Sequence, residues 1–554
     1  MIARTKPCAG IPESESTPGV PADGARRGEH IIANLSAPQD RARYFTPGNT
    51  QELAMNIHTP HRSRHALNWV GGEWMGADTI RGSINPATYE VIGTYAEGGV
   101  ETAEAAIAAA KRAMHETDWV HDRKLRARVL DNLADAFERN RGELIKILCT
   151  ENGKIQGEAS FEVDLCAPSL RYFAGIARTE AGRVVDSRPG RIAMMMRQPM
   201  GVAGIIVPWN SPIILTVRSL APALAAGCAV IVKVPGKSAQ IASTLSQIFS
   251  NVTALPRGVI NVFTDETGDG AKHLVASPEV PIISFTGSTG TGRAIALSAA
   301  PHFKRVGLEL GGKTPSIVFD DADLDLALPI LEKSVTVFAG QFCVTGQRVI
   351  VQEGIADEFR KRFAERLRAV KVGPAADLSS DMGPMIDREN VERVDNLVER
   401  AIAQGAQAIV RGGPVVEGPL SKGAFFRPAF LEVSDPTMPI VQEETFGPVV
   451  TMQRFATEQE AVALANDSIY GLGASIWTRD LSKALRIAPR IEAGMVWINE
   501  WGALGEDTEE GGCKQSGLGR LNGMAAIEDF TEIRTITLNP GLMDNEVWPD
   551  AGAR

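Results

Sequence analysis

From Val100 onward the chain alternates between two hydrophobic periods. "VETAEAAIAAAKRAMHE" (100–116) and "RKLRARVLDNLADAFERNRGELIKILCTENG" (123–153) repeat apolar residues at three- and four-residue spacing, which predicts helices. Short runs rich in branched side chains alternate with such segments: "VAGIIVP", "CAVIVKV", "GVINVF", "PIISF", "TPSIVF", "QRVIVQ" and "FFRPAFLEV". These predict strands, and the alternation predicts an α/β protein with largely parallel sheets. The longest apolar run, Leu220 to Val232, covers 13 residues. That is too short to span a bilayer and predicts a buried element. "GRVVDSRPGRIAMMMRQPMGV" (182–202) breaks the pattern as an extended excursion with a Met-rich face. Methionine suits core gaps and adaptable interfaces equally, so core packing and pairing with another subunit both remain open there. Residues 1–62 hold no periodicity, and 11 of the first fifty are Pro or Gly. A disordered N-terminal extension is expected, with Met55 an alternative start.

Composition narrows the class. A chain of 554 residues allows two or three domains. A net charge of -10 without a basic stripe disfavours nucleic acid and anionic membranes as partners. The N-terminus lacks the apolar core of a secretory signal, and the six cysteines are scattered without a CxxC. Free thiols in a reducing cytoplasm are expected, without a zinc or other metal site. Six of the eight histidines fall at or before His121, so nothing near Cys343 supports a Cys–His hydrolase.

Four motifs carry candidate chemistry. In "PIISFTGSTGTGRAIALSAA" a strand runs into Gly287-Ser288-Thr-Gly-Thr-Gly292 and then a helix. Glycines there let a diphosphate approach the helix N-terminus, although the spacing is GxxGxG and many such turns are glycine-rich for packing. "LELGGK" places Glu309 at the end of a buried strand, where desolvation raises a carboxyl toward a general base's range. "VPWNSP" fixes the chain around Trp209 and aims the Asn210 amide, a possible oxyanion donor or an ordinary turn residue. "QEETFGPVV" sets acidic residues before Phe446 and a Gly-Pro turn. "VFAGQFCVTGQR" holds Cys343, which on residue statistics alone is a buried apolar side chain.

Taken in order, these motifs resemble the aldehyde dehydrogenase superfamily, from about Trp69 to Ile536. The resemblance implies a Rossmann-like dinucleotide-binding domain (63–180 and 203–311), an α/β catalytic domain (312–520), and a small β oligomerisation extension (181–202 and 521–540). Residues 541–554 form a tail. It implies NAD or NADP as cofactor, a small-molecule aldehyde as substrate, and a homodimer or homotetramer. Cys343 then becomes the nucleophile, Asn210 an oxyanion donor and Glu309 the base that hydrolyses the thioester. Lys233 would hold the adenosine ribose, Ser288 with Gly287 and Gly292 the diphosphate, and Glu444 the nicotinamide ribose, with Trp209 and Phe446 alongside.

The chain departs from the family pattern in places. Gly236, followed by Lys237, stands where many NAD-using relatives carry a ribose-binding Glu, so NADP use is open. Ser211 replaces an aromatic, Arg218-Ser219 a Trp-Lys pair, and Glu509-Glu510 a Pro-Phe. A more polar tunnel is expected. Arg218 favours a carboxylate-bearing semialdehyde and Glu510 a cationic aminoaldehyde, unless the two pair with each other. The alternatives on this scaffold are a CoA-acylating semialdehyde dehydrogenase and a non-catalytic structural protein. Glu309 speaks against the first, and the trio of Asn210, Glu309 and Cys343 against the second.

Overall fold

The structure, a computed structural model, describes residues 64–188 and 191–538. The expected N-terminal extension and C-terminal tail lie outside the described residues. The first helix forms where its period predicts, Val100–Glu116, and buries its alanine face. The second segment divides at Asn140 into Arg123–Arg139 and Arg141–Ile147, then widens into a π-helical turn, Leu148–Asn152, that ends at Gly153 (φ 82°). The long apolar run is not one element. It covers the end of helix Pro212–Ala226 and most of strand Ala229–Val234, with Gly227 (φ 99°) between them. That helix starts on Pro212, whose missing N–H costs nothing in the first turn, and stops at the left-handed glycine.

An eight-stranded sheet carries the first half of the chain. Its order is Gly517–Leu518, Arg305–Glu309, Ile282–Thr286, Val202–Ile206, Ala229–Val234, Ile260–Thr264, Asn68–Val70 and Glu73–Met75. The five central strands run parallel. The short strand Gly517–Leu518 covers the edge of Arg305–Glu309 in antiparallel register. Residues assigned to the catalytic domain by sequence thus complete the first sheet, because an open edge presents unpaired backbone groups. Leu130, Phe137, Leu170, Phe173, Leu220 and Phe249 belong to the apolar cluster of this half. Full burial contributes roughly 1.5–3 kcal/mol for each such side chain.

A seven-stranded sheet follows, centred on Val449–Phe455, Arg348–Gln352 and Pro315–Val318. Residues 310–314 carry the chain from the first sheet into the second. The Met-rich strand Arg191–Pro199 pairs antiparallel with Thr531–Leu538 and with Arg183–Arg188. Met194 and Met195 are only half-buried and Met196 is exposed, so this strand is not core. Among the described residues no helix is long and apolar enough to cross a membrane.

Candidate active site

The loop that carries Cys343 is held from several sides. Phe338 and Ala339 adopt left-handed backbone (φ 52° and 53°) ahead of Gly340 (φ 71°). Each non-glycine residue there costs about 1–2 kcal/mol, so surrounding contacts must enforce the turn. The Phe338 N–H donates to Glu158 (3.1 Å), and Gln341 Oε1 accepts from the Ile386 N–H (3.0 Å). A Cβ at Gly340 would lie 2.3 Å from the Gly447 backbone, so only glycine fits. Trp501 Nε1 donates to the Val344 carbonyl (2.8 Å), and its ring meets Phe342 edge-on. Cys343 itself stays partly exposed, on the wall of a cavity of about 350 Å³.

That cavity gathers most of the residues selected from sequence: Asn210, Glu309 and Cys343, with Trp209, Ser211 and Arg218. Gly287, Ser288, Glu444, Phe446 and Glu510 line it as well. Asn210 is buried and donates one amide hydrogen to the Gln341 carbonyl (3.0 Å). The same bond holds the amide plane beside the cysteine loop and leaves the second hydrogen for an oxyanion. Asn210→Ala is expected to lower kcat by about 10²–10³-fold with a smaller change in KM, measured by steady-state kinetics.

Glu309 ends its strand and is buried, and its Oε1 accepts no hydrogen bond from the protein. Burial pushes its carboxyl well above the usual range, Glu510 and Asp529 add to this, and Arg218 and Arg520 oppose it. The Cys343 thiol is likewise pushed up, first by burial and then by Glu510, with Arg218 opposing. A carboxyl and a thiol both raised by burial suit a base and a nucleophile that line one cavity.

Arg218 and Glu510 form a buried ion pair, each side chain 5% exposed. The pair resolves the ambiguity of sign: neither charge is free to meet a substrate. Arg218→Met would leave Glu510 buried without its partner, costing about 3–5 kcal/mol. Chemical denaturation should read that loss, and it should shrink in the Arg218→Met/Glu510→Met double variant. Glu509 sits outside the cavity lining, its carboxylate accepting from the Ala525 N–H (3.4 Å). Sequence reasoning passed over Glu506, which does line the cavity, and the buried Lys154–Glu162 pair, whose lysine also donates to Ser211 (3.1 Å) and lies over the Phe338 ring. The acidic run "GEDTEE" was the signal for Glu506; nothing local marks Lys154.

On the other side, strand order reverses around Val202–Ile206, which leaves a crevice outside the C-terminal ends of the strands. Ser288 caps helix Thr289–Ala299, its Oγ accepting from the Thr291 N–H (3.3 Å). Nothing lies within 4 Å of where a Cβ at Gly290 would sit, so phosphate oxygens can reach the first turn. Gly292 faces inward instead. Its Cβ position is 2.5 Å from Leu310 Cδ2, so packing of the helix on Leu310 requires this glycine. Glu444 accepts from the Gly312 N–H (3.0 Å), an approach that a side chain at Gly311 would block at 2.5 Å. Burial raises its pKa to about 7, against Gly312, Lys313 and Arg393. Phe446 (φ 47°) stands edge-on to Trp209 at 5.5 Å. Lys233 is half-buried near the end of its strand and Gly236 is buried in the turn just beyond it, both away from the cavity lining. An open helix N-terminus, a lysine and carboxylates along one crevice fit a dinucleotide.

Comparison with known proteins gives the family. The family model described as "Aldehyde dehydrogenase family" matches residues 74–536. The chain is 36% identical over 476 residues to the betaine aldehyde dehydrogenase of Bacillus subtilis, covering 85% of this chain and 97% of that protein. It is 36% identical to the glutarate-semialdehyde dehydrogenase of Pseudomonas putida, with the same coverage. A crystal structure of betaine aldehyde dehydrogenase from Staphylococcus aureus in complex with NAD+ superposes with TM-score 0.84 at 35% identity, covering 87% of this chain and 96% of that one.

Proposed function

Because the chain belongs to the aldehyde dehydrogenase family, we propose the following division of labour for its oxidation of an aldehyde to a carboxylic acid. The enzyme is NAD(P)-dependent, and the bound nicotinamide supplies the hydride acceptor. The Cys343 thiolate attacks the aldehyde carbon, and the oxygen becomes an alkoxide facing the free hydrogen of the Asn210 amide and the Cys343 backbone N–H. Loss of hydride from that carbon leaves a thioester on Cys343. Glu309 then takes a proton from water, whose oxygen attacks the thioester and releases the acid and the thiolate. The observation that carries this reading is the convergence of Asn210, Glu309 and Cys343 on one cavity. Glu309 favours hydrolysis over acyl transfer, so coenzyme A should leave turnover unchanged; a marked rise would overturn that choice.

The raised thiol and carboxyl set the pH dependence. Both groups act deprotonated and burial raises both, Cys343 acting before hydride loss and Glu309 after it, so kcat/KM should climb with the thiol and kcat with the carboxyl as pH rises from about 6 to about 9. A profile that falls over this range would contradict the roles assigned to the two residues.

For the substrate, charge in the cavity is informative. Five carboxylates and two guanidiniums line it; both guanidiniums are engaged, and Glu162 and Glu510 are bound to Lys154 and Arg218, which leaves Glu309, Glu444 and Glu506 outside the ion pairs among the described residues. Arg218 is tied to Glu510, and Arg393 donates to the Thr445 and Phe446 carbonyls. With Phe161 and Phe342 also on the wall, the tunnel suits an aldehyde with a cationic far end, as in the betaine aldehyde for which one relative is named. A substrate panel tests this: best turnover on unsubstituted alkanals or on carboxylate-bearing semialdehydes would count against it.

Assembly and location complete the reading. The sheet of 183–188, 191–199 and 531–538 exposes Val184, Ile192, Met196, Ile533 and Ile536, which suits burial against another copy in a homodimer or homotetramer. Light scattering on the purified chain would show a monomer if this is wrong. The five described cysteines are free, consistent with a cytoplasmic enzyme.

A further inference from the structure

Gly236 leaves no room for a side chain. A Cβ there would sit 2.1 Å from the Tyr95 hydroxyl and 2.8 Å from Glu266 Oε2. Glu266 comes from the turn after the neighbouring strand, Ile260–Thr264, and its Oε2 accepts from the Gly236 N–H (2.7 Å). The turn is pinned by Glu97, whose Oε1 accepts from the N–H groups of Glu266 (2.8 Å) and Thr267 (3.2 Å). Glu266 is nonetheless exposed, and it lines a surface depression together with Gly236. Lys233, on the adjacent strand, lies within the electrostatic reach of Asp265, Glu266 and Glu97. Lys237, the cation that opened the NADP question, is bound to Asp387 (2.5 Å).

In open α/β sheets a carboxylate at this end of the crevice accepts from the ribose hydroxyls of NAD and repels a 2′-phosphate. We propose that Glu266, entering the space kept open by Gly236, reads the adenosine 2′-hydroxyl and makes this enzyme prefer NAD+ over NADP+. This rests on the dinucleotide reading of the crevice given above. Of the three carboxylates that act on Lys233, Glu97 is paired with Arg81 and Asp265 is buried, so the exposed Glu266 is the one a ligand meets, and a dianionic phosphate gains no partner from Lys237, which Asp387 already neutralises.

Calorimetric titration of the full chain with each dinucleotide, without aldehyde, tests the proposal. NAD+ should bind at least about tenfold more tightly than NADP+, the scale of one hydrogen bond to a charged group. Glu266→Gln keeps an acceptor for the Gly236 N–H but loses the charge, and should shrink that ratio by about tenfold. Equal or tighter binding of NADP+ by the parent, or an unchanged ratio in Glu266→Gln, would overturn the assignment. Failure to bind either dinucleotide would instead bring down the reading of the crevice itself.

Discussion

Replacing Cys343 with serine is expected to remove aldehyde oxidation by at least about 10⁴-fold while leaving dinucleotide binding in place. The substitution exchanges one sulfur for oxygen in a pre-shaped loop. The hydrogen bonds that hold the loop involve Phe338, Gln341 and Val344, none of them the Cys343 side chain. The loss therefore measures chemistry: an alcohol in a cavity that already pushes a thiol's pKa upward ionises far less readily than the thiol does. Kinetics and calorimetry on one preparation separate the two. Activity within about tenfold of the parent would show that another group forms the covalent bond.

Glu309→Gln should behave differently. Attack and hydride loss do not use the carboxylate, so a burst of reduced cofactor, one equivalent per site, should precede steady turnover slowed by about 10²–10⁴-fold. The acyl group would remain on Cys343, visible as added mass on the intact chain. The amide also fits the site: Glu309 Oε1 makes no protein hydrogen bond, and its neighbours include Gly511, whose Cβ position is 2.8 Å from that oxygen. Steady turnover without a burst would place Glu309 in the first half-reaction, before hydride loss.

Much of this was legible along the chain. The helix 100–116 and the strands around Ile205, Ile231, Val262 and Ile283 follow from period and branching. Glu309 reads as a strand-end carboxyl because Val306, Leu308 and Leu310 and the two glycines that follow state its surroundings locally. At Gly292 the sequence leaves two reasons for the glycine open, because glycine-rich turns serve packing and phosphate approach with the same letters; the structure adds its close approach to Leu310. The run 220–232 was read as one element because hydropathy is blind to the left-handed turn at Gly227.

The sequence by itself determined the α/β alternation, the order of the chemical motifs and the residues that carry them. Those are properties of short windows, in which period, glycine placement and side-chain chemistry all act between near neighbours. Only the tertiary structure decided how the charges are spent. Arg218 and Glu510 lie 292 positions apart yet neutralise each other, and Lys237 reaches Asp387 across 150. Glu266 occupies the space that Gly236 vacates from another strand. A buried charge is stable only beside a partner, and which partner it meets depends on how sheets and loops close in space.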